Sequence, residues 1–302
     1  MRRDLYVSGV LDKCGALKRS GLWAPEPHLR PKAWLSNFQS ADDRLLAAIL
    51  LDNFIYYSDR TTDQLLRSTY YRLVDGLLTG MIGLGTPNLG IDDLIFTPIL
   101  GERPNPTDSG NLFSRKVRNT LRIPQARIKE HAEAYALASA GSPIVFLDDF
   151  VGSGAQFINT WVRETTPGSG QSFKQLYTHQ PFPIILLALV VTSQSIARIR
   201  TEVPTCHLAY AHTLDVSYSA KALAAPILEP SLQDIAASLD DFLDRYSKLL
   251  TLSPDLQHPE HPKYGWYAMG LMLGFEHSIP DSTLPIFWCP GAGDWSQLVT
   301  PR

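Results

Sequence analysis

The sequence predicts an α/β fold with a mainly parallel sheet and an added helical N-terminal part, on three observations. Ile144, Val145, Phe146 and Leu147 are apolar at successive positions, as a strand covered by helices on both faces must be. The run passes through Asp148 and Asp149 into a turn with Gly152, Ser153 and Gly154, after which Ala155 to Glu164 reads as a helix. A second wholly apolar run, Ile184 to Val191, is far below the ~20 residues needed to cross a bilayer and reads as another buried strand.

Residues 1 to 40 are mixed: Pro25, Pro27 and Pro31 break regularity, and Trp23 and Trp34 are expected to pack onto the body. From Ala41 the pattern turns helical, through Leu45, Leu46, Ile49, Leu50 and Phe54 and again through Leu65, Leu66, Tyr70, Leu73 and Leu77. This spacing predicts two amphipathic helices joined near Ser58 to Thr62. Asp92 to Leu100 reads as the first strand and leads into a proline-rich loop over 101 to 112. Pro124 to Ala140 is predicted as a helix, Gly141-Ser142-Pro143 as a turn, and Thr165 to Ser172 as a polar connection. His207 to Tyr210 suits a short further strand. Ser231 to Leu250 suits a helix with Ser231 as N-cap and Asp234 at the capping-box position. With no repeat, low-complexity tract or clear linker, residues 1–302 are read as a single domain, with a helical part over 1–90 and an α/β core over 91–302.

A chain of 302 residues can bury a full core. Its 27 Lys+Arg against 30 Asp+Glu give a net charge of -3, so no global field draws it to nucleic acid; any such contact is local or made through a partner. Cys14, Cys206 and Cys289 are odd in number and far apart, which argues against a disulfide framework and fits a reducing cytoplasm. His179, His207, His212, His258 and His261 lack ligand spacing with one another or with the cysteines, which argues against a zinc site. Met1-Arg2-Arg3 begins like a leader, but Asp4, Ser8, Asp12 and Lys13 interrupt the apolar core that should follow.

Asp148 and Asp149 are expected at the exposed carboxyl end of their strand, the edge at which open α/β sheets bind ligands. Backbone N–H groups of the Gly152-Ser153-Gly154 turn can converge on an anion, assisted by the positive end of the following helix. Two carboxylates beside an anion cradle suit a ribose 5-phosphate: the acids accept hydrogen bonds from the 2- and 3-hydroxyls, and the turn holds the phosphate. The plain alternative is an acid pair that only ends a strand and a Gly-Ser-Gly that only turns the chain.

Leu147-Asp148-Asp149-Phe150-Val151-Gly152-Ser153-Gly154-Ala155-Gln156 resembles the phosphoribosyl-diphosphate (PRPP) signature of the type I phosphoribosyltransferases. The resemblance implies that fold, with Asp148 and Asp149 catalytic and Val151, Gly152, Ser153, Gly154 and Ala155 binding ligand. It also implies magnesium, reaching the two acids indirectly on a diphosphate ligand. Enzymes of the family that turn over usually carry threonines where Gly152, Ser153 and Ala155 stand, a departure that favours phosphate binding over rate. In the family a neighbouring loop contacts pyrophosphate. Glu102 and Arg103, with Arg115, Lys116 and Arg118, are the matching candidates, and a solvated basic surface is the alternative. The family's nucleobase hood is built from terminal segments, so Glu276 and His277, in a polar island with Asp281, Ser282 and Thr283, resemble a base-reading or acid/base patch. A β-turn with a hydrogen-bonded histidine is the other reading. Tyr264, Trp266 and Tyr267 suit either base stacking or core.

Gly274 to Trp288, together with Glu102 to Gly110, resembles a bacterial phosphoribosyltransferase-like group of conflict and phage-defence loci, some retron cassettes among them. This implies a cytoplasmic nucleotide-metabolising effector that takes PRPP or a nucleotide. Its partners would be other proteins, RNA or DNA of a defence operon, or further copies of itself. A non-catalytic nucleotide sensor or regulatory subunit stays open beside the enzyme.

Overall fold

In the computed structural model the described residues are 2–82, 90–101, 109–224, 238–252 and 263–300. They form two compact units, one over Asp63–Leu214 and one combining Met1–Thr62 with Asp215–Arg302. Along the chain run α1 (Arg2–Arg19), α2 (Pro31–Leu35), α3 (Ala41–Asp52), β1 (Ile55–Tyr57), α4 (Asp59–Leu78), β2 (Ile95–Pro98), α5 (Ser109–Leu121) and α6 (His131–Ser139). Then follow β3 (Ile144–Val151), α7 (Ala155–Val162), α8 (Phe173–His179), β4 (Ile184–Thr192), α9 (Ser193–Glu202), β5 (His207–Leu214), α10 (Leu239–Ser247) and β6 (Leu273–Phe275). The α/β expectation holds, and every strand pairing within both sheets is parallel.

In the 63–214 unit the strands form one sheet in the order β2-β3-β4-β5. β3 and β4 are its interior strands and lie buried on both faces, which is why their sequences run apolar without alternation. Ile144, Phe146, Ile184, Leu186 and Ala188 share one core cluster with Phe157 and Trp161 of α7 and Phe173 of α8. Val151 and Val191 join the same cluster, so the two-residue alternation breaks between Phe146 and Val151 and again between Ala188 and Val191. The acid pair lies inside the first of these breaks.

Several predicted boundaries move for local reasons. The strand expected over Asp92 to Leu100 contracts to Ile95–Pro98, because Asp93 accepts the Gly90 N–H at 2.7 Å and closes a 3-10 turn over Ile91–Asp93. Pro124 to Ala140 is not one helix. Ile128 bridges to Phe96, and the Lys129 N–H donates to the Phe96 carbonyl at 2.8 Å, so β2 takes this backbone and leaves a 3-10 turn before α6. α8 follows the polar connection over Thr165 to Ser172, where the sequence reading names no element, and β5 extends four residues past Tyr210 to Leu214.

In the other unit α1 replaces the expected mixed segment and buries Val10 and Cys14. β1 and β6 pair Ile55 with Leu273 and Tyr57 with Phe275. Gly274 in β6 has no room for a side chain: a Cβ would stand 2.9 Å from Ile279 and 3.1 Å from Phe54. Trp34, Phe38, Phe242 and Phe287 fill the core, and the Trp34 indole donates to the Ile286 carbonyl at 2.8 Å. Of the helix expected over Ser231 to Leu250, α10 is described, while Ser231 and Asp234 lie outside the described residues. Among the described residues no helix is long and apolar enough to cross a membrane.

Candidate functional site

β3 continues past the acids to Val151 because β4 runs beside it to Thr192: Asp148 registers with Ala188, Phe150 with Val190 and Val151 with Val191. Asp148 and Asp149 therefore lie within the strand, each only 4% exposed, and not at the open end that the sequence suggests. The Asp148 carboxylate accepts the Asp149 N–H at 3.0 Å. Burial, and then the adjacent Asp149 charge, hold the Asp148 carboxyl well above the usual carboxylate range. The pair thus includes one acid that keeps its proton to higher pH than a free aspartate does.

The turn after β3 is buried at Ser153, Gly154 and Ala155 and partly exposed at Gly152. Gly154 begins α7 from the left-handed region, at φ 74° and ψ -2°. A Cβ there would meet Ser195 and Ile199 only at ordinary contact, 3.5 Å, so the demand for glycine is conformational and not steric. The Ser153 hydroxyl accepts the Ala155 N–H at 3.2 Å, and the Thr192 hydroxyl donates to the Gly152 carbonyl at 2.5 Å. Thr192 is also the N-cap of α9 and accepts the Ser195 N–H at 3.0 Å. The turn is thereby tied to the end of β4, and the amino end of α7 opens directly behind it. Such a strand–turn–helix suits an oxyanion.

Of the cations named from the sequence, Arg115, Lys116 and Arg118 sit on α5, which packs against β2 and β3. Lys116 pairs with Asp63 at 3.0 Å, and Arg118 donates to Gln125 at 2.6 Å and to Asn119 at 3.2 Å. Arg115 is exposed. Glu102 and Arg103 lie outside the described residues.

Glu276 and His277 belong to the other unit, where they follow β6 just as Ser58 and Asp59 follow β1. Glu276 is 6% exposed and accepts the Asp59 N–H at 2.9 Å, so it caps the first turn of α4. His277 Nδ1 lies 3.8 Å from an Asp59 carboxylate oxygen, and its ring packs on Phe275. Asp59 and Thr192 escape the sequence reading. For Thr192 the missed signal is Thr192-Ser193-Gln194-Ser195, a hydroxyl N-cap pattern at the end of an apolar strand.

The chain belongs to a phosphoribosyltransferase-like family. The model of the PRTase-CE family matches residues 31–300, and the chain is a member of that family. No curated protein matches it. Among solved structures it is similar to the AQ2163 protein from Aquifex aeolicus, at 13% identity and a TM-score of 0.32, over 61% of this chain and 84% of that one.

Proposed function

We propose that this chain binds PRPP or a nucleotide at the β3–α7 turn and makes or breaks the bond at the ribose anomeric carbon, as a cytoplasmic effector of bacterial conflict or phage defence. The observation that carries this reading is the buried Asp148–Asp149 pair running into the Gly154-capped start of α7. The acids accept the ribose hydroxyls while turn N–H groups take the 5-phosphate. Reaction at an anomeric carbon passes through an oxocarbenium-like state, so rate comes from fixing the ribose and stabilising the departing group.

Among the described residues no cluster of three His, Cys, Asp or Glu side chains suits a resident metal. The hard oxygens of Asp148 and Asp149 instead fit magnesium brought in on a diphosphate, where it would neutralise leaving-group charge. Glu102, Arg103, Arg115 and Arg118 are the proposed diphosphate contacts, and for Glu276 and His277, in the other unit, the proposed role is acid/base chemistry. The proposed setting is a defence operon, with its proteins, RNA or DNA as partners.

A second reading is a nucleotide sensor that does not turn over. It is favoured by Gly152, Ser153 and Ala155 in place of threonines, and by the raised Asp148 carboxyl, since an acid that ionises less readily adds less charge to stabilise a cationic sugar. Calorimetry with PRPP tests the site. A lost charge-assisted hydrogen bond costs ~1.5–3 kcal/mol, so Asp148→Asn with Asp149→Asn should weaken binding roughly tenfold to over a hundredfold. Unchanged affinity would remove the ribose assignment, and consumption of bound PRPP separates enzyme from sensor.

A further inference from the structure

We propose that the 63–214 unit carries a second anion site, for a small phosphate ester, at the amino end of the edge strand β5. A cleft of about 430 Å³ lies there, lined by His207 to Tyr210 of β5, Arg72 of α4 and Arg200 of α9 over an apolar floor that includes Leu73. That is an ordinary volume for a small-molecule pocket. Two arginines line it, and no acidic residue is among its described lining residues.

Arg72 is already positioned. It donates to the Tyr210 carbonyl at 3.0 Å, and a guanidinium has further N–H donors to offer. His207 is half-buried, and burial pushes its imidazole below the ordinary value, so near neutral pH it supplies a donor and an acceptor without charge. Paired arginine forks match phosphate oxygens in a way that lysines do not. The cleft's volume of about 430 Å³ suits a small ester, and an oligonucleotide is the alternative that the test separates.

The cleft is distinct from the β3–α7 turn. His207 registers with Ile185 of β4, whereas Val151, just before the turn, registers with Val191. Positions 185 and 191 differ by six residues, about 20 Å along the sheet at ~3.3 Å per residue. The proposal therefore does not depend on what the turn binds.

The test titrates the full chain with inorganic diphosphate, adenosine 5′-monophosphate and a short single-stranded oligonucleotide, following binding by calorimetry and the histidine ring signals by NMR. Diphosphate or the monophosphate should shift the His207 signals in the wild type and equally in Asp148→Asn/Asp149→Asn. Arg72→Gln/Arg200→Gln should weaken that response at least tenfold. Arg200→Gln alone changes an exposed residue, and should weaken it in the same direction should the double variant unfold. The proposal is overturned by a His207 response that is missing in the wild type, that survives both arginine variants, or that vanishes in the aspartate variant. Tighter binding of the oligonucleotide than of either small ligand overturns the assignment to a small ester.

Discussion

The Thr192 hydroxyl donates to the Gly152 carbonyl at 2.5 Å while accepting the Ser195 N–H at 3.0 Å. One side chain thus holds the turn after β3 to the first turn of α9, across 40 residues of sequence. Thr192→Val keeps the shape and removes both bonds. It should cost about 1–3 kcal/mol in chemical denaturation, and it should loosen whatever anion the turn binds. Thr192→Ser should restore most of both. A valine variant as stable as the wild type would show that the contact is incidental.

Asp148 yields a stability prediction opposite to that for an exposed acid. Its folded carboxyl is raised by burial and by Asp149, so the folded chain binds this proton more tightly than the unfolded chain. The contribution is fully present below the unfolded carboxylate range and is lost as pH rises through the folded value. Asparagine is neutral throughout. Asp148→Asn should therefore melt above the wild type at pH 8 and close to it at pH 4, even as ligand affinity falls. A variant that melts lower at pH 8 would mean that the ionised acid stabilises the fold.

The interior of the sheet is legible because β3 and β4 must be apolar on both faces, and few other elements are. The turn after β3 is legible for a related reason: Gly154 meets a backbone demand that is written in residue type. The burial of Asp148 and Asp149 is not legible, since it depends on how far β4 extends beside β3, a property of the partner strand. Nor does the sequence reveal that Glu276 caps α4, a bond spanning 217 residues. The helix expected over Pro124 to Ala140 fails similarly, because pairing of Ile128 with Phe96 overrides local propensity. α8 is readable: Ser172 as N-cap and Gln175 at the third helical position form a full capping box at its start.

His131 gives a pH dependence in the acid range. It is 7% exposed, lies edge-on to Phe173 at 4.9 Å, and neither ring nitrogen has a hydrogen-bond partner among the described residues. Burial, with the Arg163 charge behind it, pushes its imidazole down to about 4. The unfolded chain takes up this proton near pH 6.5 and the folded chain does not, so stability falls as pH drops from about 6.5 towards 4 and then levels. The loss from this residue reaches up to about 3 kcal/mol. In His131→Phe the difference in denaturation midpoint between pH 7 and pH 5 should shrink. An unchanged difference would assign the acid sensitivity to other groups.

The effector reading makes a cellular prediction in which chemistry and folding must be kept apart. Expressed without its neighbouring genes, the chain should arrest growth, with a nucleotide or PRPP pool falling first. Asp149→Ala should abolish the arrest at unchanged protein level. Glu276→Ala cannot test the same point alone, because it removes the acceptor for the Asp59 N–H and should cost about 1–3 kcal/mol of stability. Glu276→Gln keeps a side-chain oxygen for that N–H and removes the charge. Loss of arrest in Glu276→Gln, with protein level and melting temperature preserved, would assign the carboxylate to the reaction. Arrest that persists there but disappears in Asp149→Ala would leave Glu276 as a helix cap and concentrate the chemistry on β3. If the arrest and the metabolite pools are the same in all three variants, catalysis is the wrong reading and nucleotide sensing replaces it.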